Sequence, residues 1–226
     1  MPFSSLSRLV IISGKDNFIT FKLDSKKLME DNKYDVVVLG GGPAGYAAAM
    51  RAIDFGKRVC LIEKAKVGGA GVYHGALSSK TMWELAQRVK NVNETIVSVG
   101  RKKFEISWEE VKKTLEEAVF ERKFQYSCHI KLLVTERNDL FSYIRGHGKM
   151  IDANHVSVQK GDGGEAIIET DYIIISTGSR PHILPSIPVD EKIIMTSDGI
   201  EDLADYPKSL VIVGAGVIGC EYATIF

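Results

Sequence analysis

Three glycines and one carboxylate have the spacing of a dinucleotide-binding turn. Gly40, Gly42 and Gly45 occupy the three positions of a G-x-G-x-x-G pattern, and Glu63 follows about 20 residues later. Such glycines permit a tight turn, approach of the backbone to a pyrophosphate, and close packing of a helix on a strand. An acid at that distance can accept hydrogen bonds from ribose hydroxyls. The pattern therefore predicts a dinucleotide site.

The flanking segments provide the elements that position this turn. Residues 35–39 have the apolar run of a buried parallel strand, residues 44–55 have an alanine-rich helix pattern, and residues 58–62 form a second apolar strand that ends at Glu63. A helix that begins at the glycines presents free N–H groups and the positive end of its dipole to phosphates. Because these features occur in order, an accidental collection of turn glycines is the weaker interpretation.

A second glycine-rich segment, VGGAGVYHGALSSK at residues 67–80, narrows the class. It resembles G-G-T-C-x-x-x-G-C-x-P-S-K, the pattern that carries the redox disulfide in the pyridine nucleotide-disulfide oxidoreductases. Two later stretches, GSRP at residues 178–181 and GAGVIGCEYA at residues 214–223, extend the resemblance over residues 33–226. The matching positions of the first stretch are Gly68, Gly69, Gly75, Ser79 and Lys80.

Both cysteines of the family pattern are missing. Their positions fall on Gly71 and Ala76, and Ser78 replaces the proline. A dithiol relay needs one thiolate to attack substrate sulfur and a second thiol to resolve the mixed disulfide. We therefore expect no reduction of lipoamide or glutathione disulfide by that route. The resemblance extends to the transhydrogenases of the family, which lack the second cysteine but usually retain the first, so Gly71 departs from them too.

The resemblance implies an α/β fold with two cofactors. Residues 34–183 would form a Rossmann-like FAD-binding domain with three-layer β-β-α character and an antiparallel meander. Residues 184–226 would form a linker and the start of a second Rossmann-like domain for NAD(P), and residues 1–33 an N-terminal extension. The expected FAD positions are Gly40, Gly42, Pro43, Ala44, Gly45, Glu63, Lys64, Gly68, Gly69, Lys80, Thr177 and Gly178. The expected positions of an incomplete NAD(P) site are Gly214, Gly216 and Gly219.

Lys80 and Glu221 fall on family positions where a lysine and a glutamate pair beside the flavin. An ammonium there would stabilise negative charge on reduced flavin, and the carboxylate would fix its orientation. The alternative is two solvated charges near helix starts.

His74 could act as an acid or base near neutral pH, but its loop contains no carboxylate or sulfur, and we favour a packing or solvent-facing role.

The remaining segments carry weaker patterns. We expect a helix from a Ser79 cap to residue 92, and a second from the Ser107 capping box to residue 124. Residues 131–176 are expected to form a small antiparallel meander with a surface insertion at residues 133–143. Further expectations are a buried strand at residues 172–176, a short helix capped near Ser197 or Asp198, and a strand at residues 210–213.

The amino-acid composition limits the classes of function that the chain can have. The chain has 226 residues, 45% of them hydrophobic, and a formal net charge of zero, so it is expected to be globular and to lack a footprint for nucleic acid or anionic membrane. No apolar run approaches the roughly 20 residues of a membrane span. Cys60, Cys128 and Cys220 have no metal-ligand spacing and are interpreted as small buried hydrophobes in a reducing compartment. No metal site is expected.

The N-terminal extension does not decide the cellular compartment of the protein. Residues 1–15 contain Arg8, four serines and no acid, as transit peptides do, but Asp16 and other acids soon follow. We favour a disordered or loosely packed extension and a cytoplasmic protein, with the mitochondrial matrix as the alternative. In the family the partners are a nicotinamide nucleotide and, for a full-length chain, a second copy in a homodimer.

Three functions fit these features. The first is an FAD-dependent oxidoreductase that transfers hydride between NAD(P)H and an acceptor through flavin, as transhydrogenases do. The second is an FAD-binding or nucleotide-binding protein without turnover that acts as an interaction subunit. The third is a dihydrolipoamide dehydrogenase-like protein despite its missing cysteines.

Overall fold

The computed structural model describes residues 8–13, 17–22, 33–73 and 75–226. Its strands are β1 (Arg8–Ser13), β2 (Asn17–Lys22), β3 (Lys33–Leu39), β4 (Val59–Glu63), β5 (Phe141–Met150), β6 (His155–Lys160) and β7 (Glu165–Ile175). Its helices are α1 (Pro43–Asp54), α2 (Gly69–Tyr73), α3 (Ala76–Ser98), α4 (Trp108–Glu136) and α5 (Val217–Ile225), with a 3₁₀ turn at Ile200–Asp202.

Two antiparallel strands occupy part of the N-terminal extension. β1 pairs with β2 in register, with Arg8 opposite Lys22 and Ser13 opposite Asn17. The expectation of a disordered or loosely packed extension did not include this hairpin. The strand sequences, RLVIIS and NFITFK, are rich in β-branched and aromatic residues and stand three residues apart, which is the pattern of a short hairpin.

Strands β3 to β7 form two layers that share two strands. β7, β3, β4 and the first half of β5 form a parallel sheet, with β3 pairing with both β4 and β7. The second half of β5, β6 and the first half of β7 form an antiparallel meander. β5 changes layers at Gly146, where an added Cβ would lie 2.6 Å from the carbonyl oxygen of Gln159. Each strand therefore has two neighbours, and the sheet closes on itself.

Alternation along β4 explains the layering. Val59 and Leu61 face the helices, where they pack with Ala49 of α1 and with residues of α4. Cys60 and Ile62 face the meander and pack in a second core with residues of β6 and β7. A strand buried on both faces reads as a continuous apolar run, and all five residues of β4 are buried. The predicted α/β class with a meander is confirmed.

The boundaries of α3 were predicted wrongly. The helix begins at Ala76 instead of after Ser79, and it runs to Ser98. Gly75 makes the earlier start possible because its φ of 101° is a left-handed conformation that glycine adopts without strain. Ser79 is buried inside the first turns, and its N–H donates to the carbonyl oxygen of Gly75 at 2.7 Å.

The capping box at Ser107 is present as predicted, but the surface insertion at residues 133–143 is wrong. α4 continues through Glu136, so residues 131–136 are helical and do not begin the meander. Leu133 packs in the core beneath the parallel sheet, and Phe141 opens β5 in the same core. The reason is that Ile130 and Leu133 continue an apolar stripe at helical spacing.

Two predicted strands differ from expectation. β7 ends at Ile175, and Tyr172 and Ile175 are exposed, so this strand is only partly buried. Residues 210–213 are not a strand: no other described strand pairs with them, and Val211 and Val213 are 87% and 77% exposed. A strand depends on hydrogen bonds to a neighbour, and an apolar run alone does not provide one. The 3₁₀ turn lies close to the predicted cap near Ser197 or Asp198.

The burial of Leu133 gives a stability test. Leu133→Ala should lower the free energy of unfolding by about 2–5 kcal/mol, because it removes buried methyl groups and leaves a cavity. Leu132→Ala is the matched control, since Leu132 is 48% exposed whereas Leu133 is 9% exposed. Urea unfolding measures both, and equal effects would contradict the assignment of residues 131–136 to a packed helix.

Candidate functional site

The first glycine turn lies where three strands end. Gly40 follows β3, its N–H donates to the carbonyl oxygen of Ile62 at 2.8 Å, and its φ is 101°. A Cβ on Gly40 would overlap the carbonyl oxygen of Ser176, which follows β7, and would lie 3.2 Å from the Cα of Thr177. The predicted residue Thr177 therefore lies beside the turn, with Gly178 next to it in an exposed left-handed conformation.

The three glycines of the turn have different surroundings. A Cβ on Gly45 would overlap the carbonyl oxygen of Gly40, so Gly45 is needed for packing. A Cβ on Gly42 would meet no atom within 4 Å. Gly42 is the N-cap of α1 and Pro43 follows it; no side chain of the described residues caps this helix. The turn therefore leaves the backbone at Gly42 open, as the approach of a pyrophosphate requires.

Glu63 is tied to the turn by its carboxylate. Its Oε2 accepts a hydrogen bond from the N–H of Gly41 at 2.6 Å, and its Oε1 accepts one from the N–H of Ala65 at 2.7 Å. These bonds hold the buried carboxylate in one orientation. An ionised carboxylate has about four acceptor positions, so capacity remains for ribose hydroxyls. The contact with Gly41 was not anticipated from the sequence.

Sequence reasoning missed the contribution of β5 to this edge of the sheet. The register places Arg145 opposite Glu63. Burial raises the pKa of Tyr143, the Glu63 carboxylate raises it further, and Arg145 acts in the opposite direction. A cleft of about 1270 Å³ is lined by these two β5 side chains and the predicted residue Lys64, among others. The available signal was the run FSYI at residues 141–144 before Gly146, which the surface-insertion hypothesis obscured.

The segment that resembles the redox-disulfide loop packs on the glycine turn. The N–H of Gly68 donates to the carbonyl oxygen of Gly41 at 2.8 Å, and a Cβ on Gly69 would lie 3.1 Å from the Cα of Gly42. At Gly71, the first missing cysteine, a Cβ would overlap Cγ of Pro43. The space for a side chain at that position is taken by the proline ring. Ala76, the second missing cysteine, opens α3.

Lys80 and Glu221 are brought together although 141 residues separate them. The ammonium of Lys80 forms an ion pair with Oε1 of Glu221. The Lys80 side chain is 61% exposed and the Glu221 side chain 20% exposed. The two charges thus form an ion pair, and their role beside a flavin stays a prediction. The pair links α3 to α5.

The second glycine turn repeats the geometry of the first. Gly214 has a φ of 113°, close to the 101° of Gly40. A Cβ on Gly219 would overlap the carbonyl oxygen of Gly214, and a Cβ on Gly216 would meet no atom within 4 Å. Gly216 is the N-cap of α5. The turn has this form even though no strand of the described part of the chain pairs with residues 210–213.

The remaining candidates are His74 and the three cysteines. His74 lies outside the described residues. Cys60 is buried, but Cys128 and Cys220 are exposed, so the expectation that all three are buried was wrong for two of them. In the described ranges there is no group of three or more acidic, histidine or cysteine side chains arranged for a metal. None of the helices described is long and apolar enough to cross a bilayer.

Comparison with known proteins gives consistent matches. The family model described as pyridine nucleotide-disulphide oxidoreductase matches residues 34–226. A soluble pyridine nucleotide transhydrogenase of Hahella chejuensis is 38% identical over 201 residues, and dihydrolipoyl dehydrogenase 1, mitochondrial, of Arabidopsis thaliana is 34% identical over 198 residues. The crystal structure of LpdA from Mycobacterium tuberculosis aligns with a TM-score of 0.70 at 27% identity.

These matches cover most of this chain but less than half of each relative. The alignments span 88%, 85% and 84% of the chain, and 42%, 37% and 42% of the transhydrogenase, the dihydrolipoyl dehydrogenase and LpdA. The matched part contains the first glycine turn, the Gly71 segment and the second glycine turn.

Thiol reactivity tests the environment of the cysteines. Burial raises the pKa of Cys60 to about 12, so this thiol should stay protonated and unreactive at pH 8. A disulfide reagent should titrate the exposed thiols of Cys128 and Cys220 in the native protein, and all three thiols after denaturation. Fast reaction of Cys60 in the native protein would contradict its place between the two layers.

Proposed function

The chain belongs to the pyridine nucleotide-disulphide oxidoreductase family, and from this premise we propose that it is an FAD-dependent oxidoreductase that transfers hydride between NAD(P)H and an acceptor without a disulfide. FAD and NAD(P) are the cofactors of the family. The observation that carries the proposal is the combination of Gly71 and Ala76 at the cysteine positions with the Lys80–Glu221 ion pair. The thiol relay is lost, whereas the charge pair is retained.

The first turn fits FAD. Gly42 leaves space for a pyrophosphate beside the N-terminus of α1, where free N–H groups favour anions. The Glu63 carboxylate is held by Gly41 and Ala65 and still has acceptor positions for ribose hydroxyls. We assign the remaining FAD contacts to Pro43, Ala44, Gly45, Lys64, Gly68, Gly69, Thr177 and Gly178.

A bound flavin would supply the chemistry of hydride transfer. The residues of this chain would orient the flavin and stabilise charge. The Lys80 ammonium would lie beside negative charge on the reduced cofactor, and the Glu221 carboxylate would restrict the directions in which Lys80 can point. The second turn, with Gly214, Gly216 and Gly219, would hold the pyrophosphate of NAD(P).

The acceptor need not be a disulfide. A dithiol at residues 71 and 76 would require a side chain where the Pro43 ring lies. For that reason we favour transhydrogenase-like transfer to a second nicotinamide nucleotide or a small acceptor over dihydrolipoamide dehydrogenase activity. Assembly into a homodimer remains a prediction.

One observation favours a second candidate, an FAD-binding subunit without turnover. Residues 210–213 are exposed and have no partner strand among the described residues. A nucleotide crevice in a Rossmann-like domain lies between neighbouring strands. The second site is therefore less complete than the first, and the 226-residue chain by itself should bind NAD(P) more weakly than about micromolar.

Flavin binding can be tested with two matched glycines. Gly42→Val should lower FAD affinity at least about tenfold, or 1.4 kcal/mol, because the side chain enters the space left for phosphates, where an added Cβ meets no protein atom within 4 Å. Gly216→Val is the control: it is equally open and should keep the flavin spectrum. Fluorescence titration with FAD measures both. A Gly42→Val protein that retains full affinity would exclude the pyrophosphate site.

Reduction by nucleotides distinguishes the two candidates. The FAD-loaded chain, mixed with millimolar NADH or NADPH, should lose the visible absorbance of oxidised flavin, because reduction of the cofactor bleaches it. Because no thiol takes part, alkylation of Cys128 and Cys220 should leave the bleaching rate unchanged. An FAD-loaded protein whose absorbance changes with neither nucleotide would support the FAD-binding subunit without turnover. A bleaching rate abolished by alkylation would contradict hydride transfer without thiols.

A further inference from the structure

The first residue of α4 lies at the junction of α4, the 3₁₀ turn and α5. Trp108 is 4% exposed. Its indole N–H donates to the carbonyl oxygen of Leu203 at 2.7 Å. The indole centroid lies 5.1 Å from the ring of Tyr206 and 5.9 Å from the ring of Phe226. Trp108 thus contacts both the segment that leads to the second glycine turn and the end of the helix that follows it.

The same cluster contains the neighbours of the charge pair. Tyr222, next to Glu221 in the chain, is buried, and its hydroxyl donates to the carbonyl oxygen of Ser197 at 3.4 Å. Met82, two residues after Lys80, is fully buried in the same core with Trp108 and Tyr222. The core therefore fixes the backbones on both sides of the ion pair.

The ion pair cannot position α5 by itself. α5 has nine residues, and isolated helices shorter than about 12 residues are marginal in water. Residues 210–213, which precede the turn, are held by no strand among those described. Ion pairs as exposed as that of Lys80 contribute at most about 1 kcal/mol. Packing around Trp108 must therefore supply most of the docking.

We propose that Trp108 is a positioning residue that holds Glu221 against Lys80. It acts through α5: the indole anchors Leu203 and Phe226, these contacts dock Tyr222, and Glu221 then reaches the ammonium. Trp108 touches neither charged group in this scheme. The role of the pair beside flavin rests on the function proposed above, whereas the docking itself does not.

Lys80 acylation in the flavin-free protein tests the inference. Acylation needs a Lys80 amine that is not held in the ion pair, so loss of the pair should speed the modification of Lys80. Mass spectrometry would quantify Lys80 against Lys90, an exposed lysine on the same helix. The variants are Glu221→Gln, Trp108→Phe, which keeps a ring but lacks the N–H, and Phe226→Ala, at the end of the chain. Phe120→Ala, an exposed position on α4, is the control.

Glu221→Gln should raise the Lys80 rate about two- to fivefold, the range for a partly exposed pair. Trp108→Phe and Phe226→Ala should each raise it toward that value, Phe120→Ala should not, and the Trp108→Phe/Glu221→Gln double variant should not exceed Glu221→Gln. An unchanged rate in Trp108→Phe and Phe226→Ala, additive effects in the double variant, or an unchanged rate in Glu221→Gln would each overturn the proposal.

Flavin redox titration separates this proposal from the proposed function. If Trp108→Phe exposes Lys80 as expected but Glu221→Gln leaves the midpoint potential of bound FAD unchanged, the positioning role stands and the role of the pair beside flavin fails. If both the potential and the acylation rate shift in Trp108→Phe, both are supported.

Discussion

The architecture depends on the close approach of backbone segments at Gly40. The chain leaves β3 there in a left-handed conformation, beside the end of β7 and within hydrogen-bond distance of β4. Gly45 allows α1 to pack against the same residue. A side chain at either glycine would push apart β3, α1 and the segment that follows β7. The arrangement that leaves Gly42 open to a ligand is thus a consequence of the packing on which the parallel sheet relies.

The local parts of this arrangement could be predicted because they follow from local sterics. The glycine pattern, the apolar run of β4 and the capping box at Ser107 each act over a few residues, and the structure contains all three. The Lys80–Glu221 contact spans 141 residues and was expected only from the family resemblance. Periodicity in the sequence cannot reveal such a pair.

The errors arose where structure depends on distant partners. Residues 210–213 have a strand composition, but strand formation needs a neighbour. The insertion hypothesis for residues 133–143 failed because the apolar stripe of α4 continues through Ile130 and Leu133 into the core. The position of Arg145 opposite Glu63 follows from the register of β5 with β4, and a register cannot be read from one strand alone.

Strands β5 and β7 belong to both layers and therefore connect the parallel sheet to the antiparallel meander. β5 pairs with β4 through Arg145 and with β6 from Gly146 onward, and β7 divides its pairing between β6 and β3. Side chains alternate between faces along a strand, so an insertion or deletion of one residue within β5 would put the half that pairs with β4 out of phase with the half that pairs with β6. The loop at residues 161–164 lies between paired strands. A change in its length therefore leaves the alternation of side chains in those strands unchanged. Changes of chain length during evolution should therefore accumulate in that loop, while β5 and β7 keep their length.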